Sequence, residues 1–344
     1  MLASPARRAV ADRADLAIVV VSTNEAHWLD RCLTTAYEHA GSAELQVIVV
    51  DNSSVDGTRE LVESGFPQAQ VVTSPNRGFS YGNNRGIEQA DARYVLLLNP
   101  DTEVVDGTFG ELVELLDERP EVGLAGVRQI TADGTLWPTI RRFPSPSRAL
   151  GEALFSERWP VHPGWSGERV LDRSAYEREC PCDWTSGSFM LVRREALLSS
   201  GLLDERSFIY SEEPDLCLRI KRAGWDVRHL PQMEIIHHAS KAGIRPRMAA
   251  QLAFSRKQYA QHHLGRFSRA AFVWACALGL LIRAITPGGS EATARRAGAR
   301  LALGTLLGRV APPFGTPPPT AVSPSASAGD RARALAHAAF DEVR

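Results

Sequence analysis

The chain lacks several features that mark whole classes of protein. Its 39 Lys and Arg residues almost balance its 40 Asp and Glu residues, so it has no basic excess that could neutralise nucleic-acid phosphates. Its five cysteines are scattered, odd in number and without the Cys-x-x-Cys spacing of a zinc or redox site. These absences argue against a nucleic-acid partner and against a disulfide scaffold, and they favour a reducing compartment.

The chain also lacks a long apolar segment. Residues 1–15 are polar and Arg-rich, so we expect a disordered N-terminus without a secretory signal and activity on the cytoplasmic side. The longest apolar run, Ala270–Ile282, falls short of the roughly 20 residues that a spanning helix needs. With Arg266, Arg269 and Arg283 beside it, this run fits a helix lying on the inner face of the cell membrane. A buried core or dimer helix fits the same pattern equally well.

Short β-branched runs alternate with helical patterns from residue 16 to residue 127. The predicted strands are Leu16–Val21, Gln46–Val50, Gln70–Thr73, Tyr94–Leu98 and Gly123–Val127, with helices starting near Glu25, Thr58, Asn83 and Thr108. The runs are apolar without alternation, which indicates strands covered by helices on both faces. The fold class is therefore α/β, with a mostly parallel sheet flanked by helices.

The remaining sequence is less regular. Gln129–Glu179 is rich in Pro, Arg and Trp and is predicted to be a long surface excursion rather than a second domain. Further elements are predicted at Trp184–Arg193, from Arg194, near Pro214–Ala223, at Trp225–His229, at Met233–His238 and near Arg245–His263. We predict one domain over 16–243, a helical, membrane-associated or packed extension over 244–310, and a Pro/Ser/Ala-rich linker with a short tail over 311–344.

Two loops follow predicted strands of the first half. Asp51 opens the segment that ends at Thr58, and a carboxylate at a strand end can accept a hydrogen bond from a pyrimidine base. Helix capping by Asp56 or Thr58 explains the same segment equally well. The Gly- and Asn-rich loop from Asn76 to Gly86 could bring backbone N–H groups and Arg85 against a phosphate, although such loops are commonly only turns.

Asn99-Pro100-Asp101 ends the most apolar predicted strand. In open α/β sheets ligands bind beyond the carboxyl ends of the strands, so Asp101 would lie at a ligand-binding edge. Mg²⁺ or Mn²⁺ needs few protein oxygens when a diphosphate supplies the others. The alternative is an ordinary Asx/Pro turn, which accounts for the triplet about equally well.

Three carboxylates, Glu212, Glu213 and Asp215, fall within four residues. Crowded like charges raise each other's pKa, which suits a general base near neutral pH. Acidic residues in the first turn of a helix are also favoured by its dipole alone.

His237 ends a predicted strand and could complete a metal site, although a His pair is more often structural. Trp184 could stack on a sugar or belong to the core.

In their order and spacing, these segments resemble the family 2 inverting glycosyltransferases with the GT-A fold, and among them the rhamnosyltransferase-like branch of bacterial cell-envelope synthesis. The resemblance runs from Leu16 to about Ser240. It is carried by Val21-Ser22-Thr23-Asn24, Asp51-Asn52-Ser53-Ser54-x-Asp56-Gly57-Thr58, Asn76-x-Gly78-Phe79-x-x-Gly82-Asn83-Asn84-x-Gly86, Leu98-Asn99-Pro100-Asp101, Gly187-Ser188-Phe189-Met190-Leu191-Val192-Arg193-Arg194 and Tyr210-x-Glu212-Glu213-x-Asp215-Leu216-Cys217-x-Arg219.

The resemblance implies a role for each candidate residue. Glu213 would be the catalytic base, and Asp101 and His237 would bind a divalent metal, Mg²⁺ or Mn²⁺. The implied donor-binding residues are Asn24, Asp51, Asn76, Gly78, Asn83 and Asn99. The implied acceptor-binding residues are Asp183, Trp184, Gly187, Glu212 and Asp215. The family usually has Glu-Asp where this chain has Glu212-Glu213, so the assigned base is one methylene longer.

The expected reaction is transfer of one sugar, with rhamnose from dTDP-rhamnose as the best candidate, to a lipid-linked or cell-envelope glycan acceptor. The Gln-x-x-Arg-Trp motif of processive synthases is absent from the sequence. Two alternatives stay open: a nucleotide-sugar-binding protein without catalysis, and a nucleotidyltransferase. The second is disfavoured because no Gly-rich loop with a catalytic Lys lies near the first predicted strand.

Overall fold

The computed structural model describes residues 13–238, 245–286 and 292–315. The strands within these ranges are β1 (Ala14–Ser22), β2 (Leu45–Asp51), β3 (Gln70–Thr73), β4 (Ala92–Leu98), β5 (Thr102–Asp106), β6 (Val122–Ile130), β7 (Cys180–Pro181), β8 (Phe189–Arg193) and β9 (Asp226–His237). The α-helices are α1 (Ala26–Glu38), α2 (Thr58–Gly65), α3 (Phe79–Gln89), α4 (Phe109–Asp117), α5 (Pro146–Ala153), α6 (Arg194–Ser200), α7 (Glu212–Arg222), α8 (Pro246–His263), α9 (Arg266–Ile285) and α10 (Ala292–Leu306).

The strands form one sheet in the order β3-β2-β1-β4-β8-β6-β9-β5, with β7 paired to β9. The parallel α/β arrangement expected from the sequence forms in β3, β2, β1 and β4. Beyond β4 the sheet is mixed, because β8 runs antiparallel to β4 and β6, and β5 runs antiparallel to β9. The β6–β9 pair is again parallel.

Helices cover both faces of the sheet, as the apolar runs predicted. On one face Leu29 of α1 and Leu112 of α4 pack against β1 and β4. On the other face Leu216 of α7 packs against the opposite side of the same strands. Helix α3 lies so close to β1 that a Cβ on Gly86 would come within 2.2 Å of Val19 Cγ1, so only glycine fits there.

Four details differ from the predictions. Helix α3 begins at Phe79 rather than near Asn83. The short strand β5 was not predicted, since only its first three residues are buried and it shows little pattern. The predicted excursion after Gln129 contains helix α5 and two short 3₁₀ turns. The two strands predicted between Trp225 and His238 are one strand, β9, whose register against β6 shifts beside Pro231, a residue without an N–H to donate.

Within the described residues, three helices follow the sheet. Phe272 and Ala275 of α9 pack on Ala149 of α5 and Ala260 of α8, and Ala302 of α10 packs on Ala253 of α8. This helical layer lies where a C-terminal extension is predicted; the domain boundaries themselves stay predictions. The predicted disordered N-terminus is described only from residue 13, and residues 316–344 of the predicted linker and tail lie outside the described residues.

Candidate active site

The candidate residues meet at the edge formed by the carboxyl ends of the parallel strands. Ser22 at the end of β1 pairs with Asp51 at the end of β2. Val20 pairs with Leu98 at the end of β4, so the Asn99–Asp101 turn emerges beside them. The antiparallel strand β8 begins at this same edge, because Phe189 pairs with Leu98.

Strand β9 brings its last residue to this edge. His237 pairs with Thr102, the first residue of β5, and the His238 N–H donates to the Asp101 carbonyl over 2.9 Å. As a result His237 Nε2 lies 3.4 Å from Asp101 Oδ1. The two predicted metal ligands, 136 positions apart in the sequence, are therefore neighbours in the fold.

The surroundings of Asp101 and His237 suit a divalent cation. His237 Nδ1 is buried and has no hydrogen-bond partner among the described residues, and the Trp137 ring is perpendicular to the imidazole with the ring centroids 6.1 Å apart. A carboxylate beside an imidazole is a donor set that Mn²⁺ accepts. In the described part of the chain no group of three or more His, Cys, Asp or Glu side chains is arranged as a metal site. The pair thus fits a cation whose remaining ligands come from a bound diphosphate.

A third carboxylate, Glu25, belongs to the same region. Burial, followed by the charges of Asp101 and Asp56, raises the pKa of Glu25 to about 7, while His237 opposes this shift. The edge thus concentrates negative charge, as expected where a cation is to be held. Glu25 was not among the predicted site residues, although it directly follows Asn24 at the end of the first predicted strand.

His238 has a different role from His237. Its Nε2 lies 2.7 Å from Glu103 Oε1, and its ring stacks on Trp28 at 4.3 Å. Glu103 also accepts from Arg31 Nη2 at 2.7 Å. Burial alone would raise the pKa of Glu103, but the hydrogen bonds from Arg31 and His238 outweigh burial and lower it. This network holds His238 against Glu103. His237 is therefore the histidine that lies next to Asp101.

The loops that follow β1 and β2 hold each other in place. Asn24 adopts a left-handed conformation (φ 56°), accepts from the Val55 N–H at 2.8 Å and donates its own N–H to Ser54 Oγ at 3.0 Å. Asp51 Oδ1 accepts from the Ser54 N–H at 2.9 Å. Asp56 accepts from the N–H groups of Ala26 and Thr58, the first residues of α1 and α2, while Gly57 and not Asp56 is the N-cap of α2.

The residues of the Gly- and Asn-rich loop mostly contact other residues of the chain. Gly78 (φ 105°) must be glycine, because a Cβ there would lie 2.0 Å from the Phe208 carbonyl oxygen. Asn83 is buried in α3 and donates to the Phe79 carbonyl. Arg85 pairs with Glu88, so the structure does not support it as a phosphate counter-charge. Asn76 is exposed. The donor-binding roles of Asn76, Gly78 and Asn83 stay predictions.

A chain of contacts connects Glu213 with the Asn99–Asp101 turn. Glu213 Oε1 accepts from the Gly187 N–H at 3.3 Å, and the carbonyl of the next residue, Ser188, accepts from the Asn99 N–H at 3.1 Å. A Cβ on Gly187 would lie 3.0 Å from Glu213 Oε1, so the glycine lets the carboxylate approach. The partly buried Glu213 therefore lies next to the strand that borders the metal-binding turn.

The two adjacent glutamates are held in different environments. Burial and then the charge of Glu213 raise the pKa of Glu212 well above its ordinary value. Burial also raises the pKa of Glu213, but its own N–H, that of Gly187 and the charge of Arg141 act against burial. Coupled carboxylates of this kind share protons as a pair, and Glu212 is the one that the environment favours as the neutral acid.

The backbone before α7 is strained. Tyr210 (φ 75°) and Ser211 (φ 71°) are consecutive non-glycine residues in the left-handed region, which costs about 1–2 kcal/mol per residue. Such strain concentrates at functional sites, where the surrounding structure maintains it. Here it turns the chain so that Glu212 and Glu213 open the first turn of α7. No sequence signal indicated this strain.

Two predicted acceptor residues have other roles in the structure. The ring of Trp184 is buried in the core, its Nε1 donates to the Arg142 carbonyl, and the Arg141 guanidinium lies over its face, so the prediction that it stacks on a sugar is corrected. Both oxygens of Asp215 are engaged: Oδ1 lies 2.6 Å from His263 Nε2 and Oδ2 lies 2.7 Å from Arg219 Nη2. Asp215 therefore ties α7 to α8 and is removed from the acceptor set.

Asp183 lies in the segment that leads into β8. It accepts from the Phe143 N–H at 2.9 Å, and Lys221 Nζ lies 3.8 Å away. Phe143 belongs to the segment between β6 and β8, and Lys221 belongs to α7; loops of this kind often determine specificity. Its contact with an acceptor stays a prediction, as do those of Gly187 and Glu212.

The chain is similar to known glycosyltransferases in sequence. The family model described as Glycosyl transferase family 2 matches residues 17–179. The N-acetylglucosaminyl-diphospho-decaprenol L-rhamnosyltransferase of Mycobacterium tuberculosis is 30% identical over 283 residues, which are 78% of this chain and 91% of that protein. The rhamnosyltransferase WbbL of Escherichia coli is 24% identical over 230 residues, 64% of this chain and 83% of that protein.

Solved structures show the same architecture. The mannosyltransferase PcManGT from Pyrobaculum calidifontis, solved with GDP-Man and Mn²⁺, has a TM-score of 0.53 and 15% identity, with 86% of this chain and 87% of that chain covered. GalNAc-T7, solved with UDP, GalNAc and Mn²⁺, has a TM-score of 0.53 and 13% identity, with 76% of this chain and 53% of that chain covered. These likenesses confirm the GT-A fold predicted from the sequence.

The Asp215 ion pairs should stabilise the fold in a pH-dependent way. Burial would raise the pKa of Asp215, but the charge of Arg219 and the hydrogen bonds from His263 and Arg219 lower it from 3.8 to about 2. A lowered folded-state pKa gives stability that is complete above the unfolded value and is lost as the pH falls through the folded one. Asp215→Asn should therefore lower the free energy of unfolding by about 2 kcal/mol at neutral pH.

Urea unfolding of both proteins from pH 7 down to pH 3 measures this difference. The difference should shrink as the pH falls below 4. A companion variant, His263→Asn, should lose a smaller part of the stability because Arg219 remains. A difference that stays constant over the whole pH range would contradict the assignment.

Proposed function

The chain belongs to glycosyl transferase family 2, and from this premise we propose that it transfers one sugar from a nucleotide-diphosphate donor with inversion at the anomeric carbon. It is a glycosyltransferase. We propose dTDP-rhamnose as the donor and a lipid-linked or cell-envelope glycan as the acceptor. The names of two relatives, both rhamnosyltransferases, support this choice of donor, and one of those names contains a decaprenol-linked acceptor.

One observation carries the proposal. Asp101 and His237 are neighbours at the carboxyl edge of the sheet, and hydrogen bonds at Gly187 and Ser188 connect Glu213 to Asn99 of the same turn. An inverting displacement needs these two functions on one edge: a group that binds the leaving diphosphate and a base that takes the acceptor proton.

Asp101 and His237 are the residues that would hold a divalent cation, and Mn²⁺ is present in both structural neighbours described above. When bound, such a cation neutralises charge on the leaving diphosphate. Glu25 and Asp56 add to the negative potential of this edge, which favours cation binding. Asn24, Asp51 and Asn99 lie along the same edge, where the nucleotide would bind.

Glu213 is the proposed base. In its ionised form it accepts the proton of the acceptor hydroxyl as the oxygen attacks the anomeric carbon. The Gly187 N–H orients one of its oxygens, and its raised pKa makes it a better proton acceptor than an exposed carboxylate. Glu212, favoured as the neutral acid, adds no second charge beside the base and can donate a hydrogen bond. We place this reaction on the cytoplasmic side of the cell membrane.

The donor is tested by product analysis. The purified full-length chain is incubated with dTDP-rhamnose, UDP-galactose, UDP-glucose or GDP-mannose, Mn²⁺ and a polyprenyl-diphosphate-linked N-acetylglucosamine acceptor. We expect release of dTDP and a rhamnosylated acceptor with the first donor. Turnover with another donor only would overturn the donor assignment. Release of pyrophosphate, or binding without turnover of any donor, would overturn the sugar transfer itself.

The two glutamates should respond differently to the same substitution. Glu213→Gln removes the base and should lower kcat by about 10²–10⁴-fold while leaving dTDP-rhamnose binding intact. Glu212→Gln replaces a neutral acid by an amide of the same shape and should have a much smaller effect. In the wild type kcat/KM should rise with pH as Glu213 loses its proton, and the slow Glu213→Gln reaction should lose this dependence. Equal losses in both variants would count against the assignment.

Metal-dependent donor binding tests Asp101. Calorimetry of dTDP binding should show tighter binding with Mn²⁺ than with EDTA in the wild type. Asp101→Asn keeps the side-chain volume but removes the charge, so this variant should lose at least about tenfold in the Mn²⁺-dependent affinity, or about 1.4 kcal/mol. The matched control is Asp106→Asn, an exposed carboxylate at the other end of β5, which should behave as wild type. An unchanged Mn²⁺ effect in Asp101→Asn would reject the site.

A further inference from the structure

Helix α9 exposes one apolar face along its whole length. Phe267, Trp274, Leu281 and Ile285 are spaced by seven, seven and four residues, so they share one side of the helix. Phe267 is 83% exposed, Trp274 62% and Ile285 77%, which is unusual for large apolar side chains on one surface. This set of four residues is called the α9 stripe below.

Another face of α9 packs against α5 and α8. Phe272, Ala275 and Gly279 are buried, and a Cβ on Gly279 would lie 3.1 Å from Ala153 of α5. Arg283 Nη2 donates to the Glu152 carbonyl at 3.2 Å, so this arginine is bound to α5 and is not one of the cations that face solvent. By length and composition α9 alone among the described helices could span a bilayer. Since one face packs on α5 and α8, the structure favours a helix that lies flat on a surface.

A groove opens beside the N-terminal end of the stripe. It has a volume of about 510 Å³ and is lined by Lys257 and Gln261 of α8 and by Arg266, Phe267, Arg269, Ala270 and Val273 of α9. Among residues 13–238, 245–286 and 292–315, no carboxylate forms an ion pair with Lys257, Arg266 or Arg269. Three cations without acidic partners therefore converge on an opening whose other wall is apolar.

We propose that this surface binds an anionic bilayer, with the α9 stripe in the interface and a lipid phosphate headgroup in the groove of Lys257, Arg266 and Arg269. The stripe supplies apolar area, aromatic side chains included, that partitions into the boundary between headgroups and acyl chains. The cations supply attraction to negative lipids. Phe267 belongs to both the stripe and the lining of the groove, so the apolar and the cationic parts adjoin at the N-terminal end of α9.

The charge around the stripe distinguishes this occupant from a second copy of the chain. A second copy docked through the stripe leaves these cations uncompensated: a parallel two-fold contact brings Arg266 and Arg269 near the same arginines, and an antiparallel one places them beside the apolar end of the partner's stripe. An anionic membrane surface removes that repulsion and compensates all three cations. The inference rests on the described surface alone and does not depend on sugar transfer.

Vesicle sedimentation with the full-length chain tests the proposal without any turnover measurement. Phosphatidylcholine vesicles with phosphatidylglycerol should bind the wild type more tightly than pure phosphatidylcholine vesicles, and added salt should weaken this binding. Each cation near an anionic surface raises the membrane-binding constant by about fivefold. Replacing Lys257, Arg266 and Arg269 by Ala should therefore lower the binding constant for the phosphatidylglycerol vesicles by about a hundredfold. Arg59→Ala, an exposed cation on α2, is the matched control.

The apolar part is tested separately. Phe267→Ser combined with Trp274→Ser should weaken binding to both kinds of vesicle, because it removes inserted area rather than charge. These side chains are exposed, so circular dichroism and the Tm should match wild type. The proposal is overturned if wild type binds neither vesicle, if the triple variant binds as wild type does, or if equilibrium sedimentation shows a dimer that the Phe267/Trp274 variant dissociates.

Discussion

The parallel pairing of β1 with β2 and β4 is the constraint on which the rest of the site depends. Parallel strands end at the same edge, so their pairing registers bring the ends of β1, β2 and β4 side by side. Asp51 and the Asn99–Asp101 turn are therefore positioned first by hydrogen bonds of the sheet, and contacts of the loops such as that of Asp51 with the Ser54 N–H add to this. A site built on strand ends suits a diphosphate that must be held in one orientation.

Strands β8 and β9 bring further groups to the edge formed by the ends of β1, β2 and β4. The antiparallel strand β8 starts at the carboxyl edge, so Gly187 lies there just before it, whereas β9 runs in the same direction as β6 and β4 and ends there with His237. The mixed sheet thus collects acidic, imidazole and backbone N–H groups from segments more than a hundred residues apart. Buried support comes from Glu103, which binds both Arg31 and His238 and keeps the second histidine away from the cation position.

The electrostatics of the two acidic groups follow from their surroundings. Around Asp101 the carboxylates of Glu25 and Asp56 accumulate negative charge, which is costly in the free protein and favourable once a cation is bound. Around Glu213 burial opposes ionisation and raises the pKa, while the Gly187 N–H and the charge of Arg141 act against burial. Asp215, only two residues further on, is held ionised by Arg219 and His263 and serves the contact between α7 and α8.

Much of this could be predicted from the sequence, because apolar runs without alternation specify buried parallel strands and the acidic residues follow those runs directly. Strands β1 to β4 and β6, helices α7 and α8, and the placement of Asp51 and Asp101 at a strand end all follow from local pattern. Local pattern could not decide which side chains meet. The contact of His237 with Asp101, the core position of Trp184, the ion pairs of Asp215 and the exposed stripe of α9 depend on packing between distant segments. Only the tertiary structure determines these four features. Whether a side chain is buried, and which side chain it contacts, depends on how the helices and the sheet pack together and not on the sequence pattern of any single element.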